Sequence, residues 1–574
     1  MPGSGTPAPR RVWGVRLPLG RGSEEDLRRA LARGLGVRIE SVGPPAVVRR
    51  SLDARDRRRG IFWVYTLDVA LAARPGRLPR GWRLGDPPPL LRPAPAPARL
   101  KGLRAAVVGT GAAGLFAALA LARSGAEVTV LEQGPPLRDR VAAVGALWRE
   151  GSLSPDANVQ FGEGGAGTFS DGKLVTRVKD PRVREVLEEL VRAGAPGRIL
   201  EEAHPHVGTD GVRGVVEGMR GRLEALGVRF RFRARVTGVC PAAEGYRLEL
   251  GGESLECKVA VLAVGHSSRS LFRRLLALGL PLVPKGFAAG VRVEHPQAWV
   301  DRCQYGRFAG HPDLPPAEYF LTHRDAPTGR GVYSFCMCPG GVVVNSSSEP
   351  GLLVTNGMSM SQRASGFANA GIVVTVEPSD LGPGPLAGFA FQEELERRAF
   401  ELGGGGYRVP AQRLSAFLGG PEGEPPKVTY RPGARRTDLR GFFPSFLEEP
   451  LRRAFIRFER LMPGFVEHGV VMAPETRTSC PVQVRRAEDL SAEGFPGLYL
   501  AGEGAGWAGG IVSSAVDALR CVEALGASWA GRAQGTGGPT AGGSGGGSRG
   551  KRARASSGSG ALPSRRGGGV QRSR

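Results

Sequence analysis

The sequence predicts an α/β protein, and three observations predict it. A buried-strand pattern, a glycine turn and an apolar helix follow one another in "AAVVGTGAAGLFAALALARSGAEVTVLEQ", residues 105–133. The same shape returns near the end in "LYLAGEGAGWAGGIVSSAVDALR", residues 498–520. Between the two lies enough chain for a further domain, and 574 residues in all predict two or three domains.

The amino-terminal stretch, 12–72, reads as a small α/β module of the ferredoxin-like kind. "RVWGVRLPL" is a strand and "SEEDLRRALARGLG" a helix, with Ser23 placed to cap it and Asp26 three positions on. "IFWVYTLDVAL" is a further strand, reached through the charged hairpin or loop "RRSLDARDRRR". Residues 73–100 carry "GDPPPLLRPAPAPA" and read as a semi-rigid linker. Residues 531–574, rich in Gly and Ser, cannot form a core and read as a disordered tail.

Charge is unevenly placed. The net charge is +24, but residues 1–104 hold 22 basic and 8 acidic residues, and 531–574 hold 9 basic and none acidic. The centre, 105–530, has 47 basic and 46 acidic residues, so any polyanion or nucleic acid would be drawn to the two ends. Only seven basic residues are lysine, a skew that GC-rich coding also produces. The opening "MPGSGTPAPRRVWG" lacks an apolar signal stretch, and seven cysteines without dense spacing fit a reducing compartment. A cytoplasmic location is expected, with organellar import left open. The uncharged run 105–122 is 18 residues long, but three glycines interrupt it and a second strand follows, so no membrane span is expected.

The first glycine turn has the dinucleotide fingerprint. Gly109 permits a tight turn, Gly111 lets backbone approach a diphosphate, and Gly114 allows close helix packing. The helix starting near Ala112 and Ala113 would offer free N–H groups and a positive dipole end. "EVTVLE" ends at Glu132, 18 residues after Gly114, where a carboxylate can accept from ribose hydroxyls. NAD and FAD both satisfy this pattern.

The rest of the chain decides between them. "NVQFGEGGAGTFSDGKL", residues 158–174, has five glycines interleaved with Phe161 and Phe169. That composition suits a loop pressed against a planar or anionic ligand better than a packed helix or strand. "KVAVLAVGHSSR" is another buried strand, ending in Gly265. In the last turn an acidic residue, Glu503, directly follows the strand, so the turn is not a second phosphate site. FAD is long enough to be held at both ends, its ADP half at Gly109 and its flavin half under Gly502–Gly510. Backbone N–H groups near Gly510 and Ile511 can stabilise negative charge on the flavin.

With these segments together, the chain resembles a family of uncharacterised FAD-dependent dehydrogenases within the glutathione-reductase-type flavoproteins. The resemblance covers about residues 12–530. It rests on "NVQFGEGGAGTFSDGKL", "YSFCMCPGG", "VTNGMS", "ETRTSCPV" and "AGEGAGWAGGIVSSAVDAL", with "VVRRSLDAR" and "VYTLDV" at the amino terminus. It implies FAD as cofactor and an α/β fold: an FAD-binding Rossmann-like domain, an inserted α+β substrate domain and the small amino-terminal α/β module. The expected boundaries are 101–274 and 471–530 for the two parts of the FAD domain and 275–470 for the insertion. The expected cofactor contacts are Gly109, Gly111, Ala112, Ala113, Gly114, Glu132, Gln133, Gly164, Gly165, Thr168, Phe169, Ser170, Lys173, Val236, Gly265, Gly502, Glu503, Gly504, Gly510 and Ile511. "AVGHSSR" stands where related flavoproteins often carry an ATG-like motif, which sets His266 near the cofactor.

Three residues are candidates for chemistry. Lys173, a rare lysine in the glycine-rich loop, would favour anionic reduced flavin; its bland alternative is a solvent-facing lysine. Arg477 in "PETRTSCP" can fork a substrate carboxylate or phosphate, or instead pair with Glu475 or another acid. His266, like His295, is an acid–base candidate by residue type. Cys336 and Cys338, two apart on a strand, would share one face as core or as a redox or nucleophilic pair. Seven histidines are scattered without metal-ligand spacing, so no metal is expected.

The sequence therefore points to an FAD-dependent oxidoreductase transferring hydride at flavin N5. Its expected partners are a small-molecule substrate and an external electron donor or acceptor. Two alternatives stay open: an RNA-associated or RNA-modifying flavoprotein using the basic module, and a non-catalytic protein with structural FAD.

Overall fold

The computed structural model describes residues 8–88, 100–423 and 427–534. Most of the proline-rich stretch and residues 535–574, expected to be linker and tail, lie outside the described residues.

The amino-terminal sheet has strands Arg10–Pro18, Ala46–Asp53, Phe62–Val69 and Arg83–Gly85. All pairings are antiparallel, in the order second, third, first, fourth. Helix Glu24–Leu35 packs Leu27, Leu31 and Leu35 onto Val12, Val15 and Leu67. Ser23 accepts from the Asp26 N–H, and the Asp26 carboxylate accepts from the Ser23 N–H, closing a capping box. The strand order is that of a ferredoxin-like sheet, but residues 70–82, where that fold has its second helix, contain none. The fourth strand also corrects the expected linker at 73–100. Arg11, Val12 and Trp13 pair with Gly85, Leu84 and Arg83, so the module continues past residue 72.

The five-stranded parallel sheet is the frame of the site. Its order is Leu498–Leu500, Val259–Leu262, Arg104–Val108, Glu127–Leu131 and Arg229–Arg231. The central strands are apolar on both faces because helices cover one side, and the antiparallel strands Gly238–Ala242, Gly245–Glu249 and Ser254–Cys257 with helix Arg269–Ala277 cover the other. Parallel strands all end on one edge. Turns from residues almost 400 apart in sequence therefore meet at that edge, where α/β sheets bind ligands.

A second sheet of seven strands forms the other large core. It is centred on Phe287–Pro296 and Phe367–Val376, which pair along ten residues. Helix Ser445–Leu461 packs Leu447, Leu451, Phe455 and Phe458 into the same core. Strand Val470–Glu475 belongs to this sheet, paired with Phe287–Pro296, which corrects the expected boundary at 471. The chain returns to the parallel sheet only after it. Among the described residues, no helix is long and apolar enough to cross a membrane.

Candidate functional site

The three strand-end turns press together, and glycine is required at the contacts. Gly109 has φ +101°, and a Cβ there would lie 2.4 Å from the Ala263 carbonyl oxygen. A Cβ on Gly114 would lie 1.9 Å from the Gly109 oxygen, so this glycine sets helix Ala112–Arg123 against its own turn. Gly502 closes on Ala113, and Gly504 on the Gly265 carbonyl, at 2.7 and 2.6 Å from a notional Cβ. These contacts lock the first, middle and last turns into one wall.

Below that wall is a cavity of about 1160 Å³. It is lined by Gly109, Gly111, Ala112, Ala113, Glu132, Gln133, Gly164, Gly165, Ser170, Lys173, Val236, Gly265, His266, Arg477, Glu503, Gly510 and Ile511. Gly114, Gly502 and Gly504 lie behind the lining as packing glycines. Thr168 and Phe169, expected to touch the cofactor, also lie outside it. The Thr168 hydroxyl donates to the Glu163 carbonyl, and the Phe169 ring is held between the Arg140 and Arg213 guanidinium groups, each 4.8 Å from its centroid.

Glu132 is more occupied than its position suggests. Its Oε2 accepts from the N–H and hydroxyl of Thr110 at 3.0 and 2.6 Å, and its Oε1 from the N–H groups of Gly134 and Gly162 at 3.0 and 3.1 Å. It ties the first turn to the glycine-rich loop. A ribose hydroxyl would have to share these lone pairs, with Gln133 beside it in the lining.

The glycine-rich loop is pinned from below by a residue that the sequence reading missed. Fully buried Arg140 donates to the carbonyls of Asn158, Val159, Gly162 and Glu163. Burial pulls its pKa down to about 9. An arginine on an amphipathic helix, Leu137–Glu150, ordinarily faces solvent, so nothing local marks it.

At the other end, the Glu503 carboxylate lies 3.3 Å from His266 Nδ1 and accepts from the Gly510 N–H. Burial pushes its pKa up, but His266 and the Gly510 N–H outweigh that and hold it below the ordinary carboxylate value. His266 Nε2 is buried without a protein partner.

Arg477 does not present a free fork. Its Nε and Nη2 donate to the two oxygens of Glu396, and its Nη1 to the hydroxyls of Ser267 and Ser348. Arg269 holds the same carboxylate from its other side at 3.0 and 2.8 Å. The substrate-fork expectation is corrected: the acid comes from helix Ala387–Leu402, 81 positions away in sequence, and not from Glu475. Glu475 instead pairs with Arg292. His295 is also removed from the candidates. It is stacked on Trp299 in the core of the second sheet and does not line the cavity.

Lys173 stands in the lining, not in solvent. Its ammonium lies 3.1 Å from Asp171 and donates to the Met337 carbonyl. Burial acts to lower its pKa, but the Cys338–Cys336 pair and the Asp171 carboxylate raise it overall, so it stays protonated. The second domain also contributes Cys336, Ser348 and Asn356 to the lining.

The cavity fits FAD on an observation internal to the chain. A Cβ on Gly111 would meet nothing closer than the Gly165 Cα at 3.9 Å. The protein itself does not require glycine there, but a ligand lying against the backbone would. The description "FAD binding domain" matches residues 104–239, and "FAD-dependent protein, C-terminal domain-like" matches 286–478. An uncharacterized protein of Clostridium beijerinckii is 44% identical over 433 residues, covering 73% of this chain and 80% of that one.

The chain belongs to this family of FAD-dependent proteins.

FAD is its cofactor, and the coarse reading is an oxidoreductase-type flavoprotein. Among solved structures, CtdE in complex with FAD is similar at 11% identity and TM-score 0.29, over 74% of this chain and 84% of that one. Halogenase PltM in complex with ethyl mercury and mercury is similar at 10% identity and TM-score 0.34, over 75% and 70%. Lactococcus lactis thioredoxin reductase is similar at 15% identity and TM-score 0.17, over 28% and 35%. No residue role is carried over from them to this FAD-dependent protein.

Proposed function

We propose that this protein is an FAD-dependent oxidoreductase that exchanges hydride equivalents with a small molecule bound between the turn wall and the second domain. The observation that carries the reading is one cavity lined by the first and last glycine turns and by His266, whose buried Nε2 has no protein partner. The N–H groups at the start of helix Ala112–Arg123 would hold the diphosphate, and the Gly510–Ile511 backbone the flavin end. Bound FAD supplies two-electron redox chemistry. The Glu503 carboxylate accepts from His266 Nδ1–H, which orients the ring and leaves Nε2 able to accept a proton from a substrate. Lys173 keeps a fixed positive charge in the lining.

The test is anaerobic. The purified protein is expected to be yellow, to release FAD on denaturation, and to lose its oxidised-flavin absorbance with one class in a panel of alcohol, amine, thiol and nicotinamide reductants. A flavin that responds to none of them, while remaining tightly bound, would favour a structural role and sink the reading. Glu503→Gln should weaken FAD retention without removing a limb of the pH–rate profile at saturating FAD.

A further inference from the structure

We propose that Cys336 and Cys338 are a redox couple, Cys336 in the lining of the FAD cavity and Cys338 buried directly behind it. This rests on the oxidoreductase reading and gives it an internal electron carrier.

The backbone departs from a regular strand at this pair. Strand Gly331–Cys338 pairs Phe335 with Gly371 but Cys338 with Asn369, so Cys336 and Met337 together oppose one residue. Cys336 has φ +44°, a left-handed conformation that a non-glycine residue adopts only when its surroundings impose it. The expected shared strand face is therefore corrected. The bulge brings Cys336 into the cavity lining, while Cys338 stays fully buried behind it. The Cys338 thiol still reaches Cys336: it lies 3.4 Å from the Cys336 carbonyl oxygen and hydrogen-bonds the Cys336 sulfur.

Charge around the pair favours an anion. Lys173 reaches it from the glycine-rich loop. From strand Phe287–Pro296, one strand beyond the direct neighbour Phe367–Val376, Arg292 Nη2 donates to the Cys336 carbonyl at 2.7 Å and lies 3.5 Å from Cys338 Sγ. Arg363 adds a third cation, 3.8 Å from Asp171. The facing carboxylates are Asp171, Glu318 and Glu475. Burial pushes Glu475 up to about 7, which weakens its counter-charge to Arg292 beside the pair. The Cys338 hydrogen bond lowers the Cys336 pKa against the cost of burial, with Lys173 and Arg292 adding to it, and the Cys338 thiol is pushed up in turn. One thiolate beside one thiol is the arrangement that closes a disulfide.

The step balances with FAD as oxidant. The Cys336 thiolate and the Cys338 thiol form an S–S bond, and two electrons and the Cys338 proton pass to FAD. Run backwards, reduced FAD opens the disulfide and returns the same thiolate and thiol. The other five cysteines, at 240, 257, 303, 480 and 521, are free and do not line this cavity.

The experiment uses the full-length FAD-loaded protein, equilibrated anaerobically in glutathione buffers of graded redox poise. It is quenched in acid, denatured and alkylated, and the peptide carrying both cysteines is weighed. The expected result is loss of both alkylation sites together in oxidising buffers, with the other five cysteines still alkylated. Cys338→Ser should trap Cys336 as a mixed disulfide with glutathione. In unquenched protein at pH 6, Lys173→Met should slow alkylation of Cys336 by iodoacetamide about tenfold. Dithiol protein kept from oxygen should bleach its own flavin as the pair closes. A pair that stays fully alkylated at every poise, in protein whose flavin is still reduced by other donors, overturns the couple and leaves the oxidoreductase reading standing. Closure with no change in the flavin overturns the exchange with FAD.

Discussion

Gly165 lies directly over Gly111. A Cβ on Gly165, whose φ is +64°, would come within 2.8 Å of the Gly111 Cα, and the neighbouring Gly164 N–H donates to the Thr110 hydroxyl at 3.1 Å. The glycine-rich loop thus packs its backbone directly against the first turn. The two glycines should respond differently to substitution. Gly111→Ala has room for its Cβ in the protein and should keep the melting temperature of the FAD-free protein while weakening FAD binding, and Gly111→Val should weaken it further. Gly165→Ala meets both a clash and an unfavourable φ, and should cost about 1–3 kcal/mol in denaturant unfolding without ligand. Full FAD occupancy in Gly111→Val would refute the assignment of this turn.

Arg140→Leu should be strongly destabilising. Four buried carbonyls lose their donor, and each unsatisfied acceptor costs about 1–3 kcal/mol before relaxation. A loss of at least about 3 kcal/mol is expected. Proteolysis should open the chain first near residues 158–174. An Arg140→Leu protein with unchanged urea midpoint would show that the loop does not depend on this clamp.

Glu396→Gln leaves Arg269 and Arg477 buried together without their shared counter-charge. Breaking a buried ionic group in this way costs about 3–5 kcal/mol. Burial pushes the Glu396 pKa up, but the two guanidinium groups outweigh it and hold it well below its ordinary value of 4.5. Its folded pKa is depressed, so its contribution is present above pH 4.5 and lost as pH falls through the folded value. Acid unfolding should therefore begin at higher pH in proteins where this site is weakened, read by circular dichroism from pH 6 downward.

His295 gives a pH effect in a second window. It is stacked on Trp299 at 4.7 Å and bonded through Nε2 to the Phe465 carbonyl, and burial lowers its pKa to about 4. The unfolded chain binds this proton from about pH 6.5 downward, the folded chain only near 4. The unfolded state holds more protons between those values, so stability falls as pH drops from 6.5 to 4, by up to about 3 kcal/mol. In His295→Phe that portion of the slope should vanish. A slope unchanged by the substitution would assign it to other groups.

Several features were legible because their causes are local. The Ser23–Asp26 capping box needs only four consecutive residues, and the strand–glycine–helix unit at 105–133 needs about thirty. Glu503 could be placed because it follows its strand directly and precedes a glycine turn. A small α/β module at the amino terminus was also legible, but its strand order came from the structure, and the short strand Arg83–Gly85 was hidden by the prolines beside it. Arg140 and Glu396 carried no such signal, since a charged residue on an amphipathic helix ordinarily points to water. Arg477 was singled out for its residue type, but its partner could not be read across 81 positions.

By itself the sequence determined the dinucleotide turn and the second turn with its acidic residue, and from them the expectation of a cofactor held at two ends. Those depend on backbone freedom at glycines and on hydrophobic period, which act over one or two elements. Only the tertiary structure decided what surrounds the cofactor. A parallel sheet gathers strand ends from distant parts of the chain onto one edge, and a second sheet then closes over that edge. That convergence turned Arg477 inward to Glu396, left His266 Nε2 without a partner, and set the bulged Cys336 among the buried charges of Lys173 and Arg292. Neighbours brought in by folding set the surroundings of these groups, because burial makes each unpaired charge costly and so selects its partner in space.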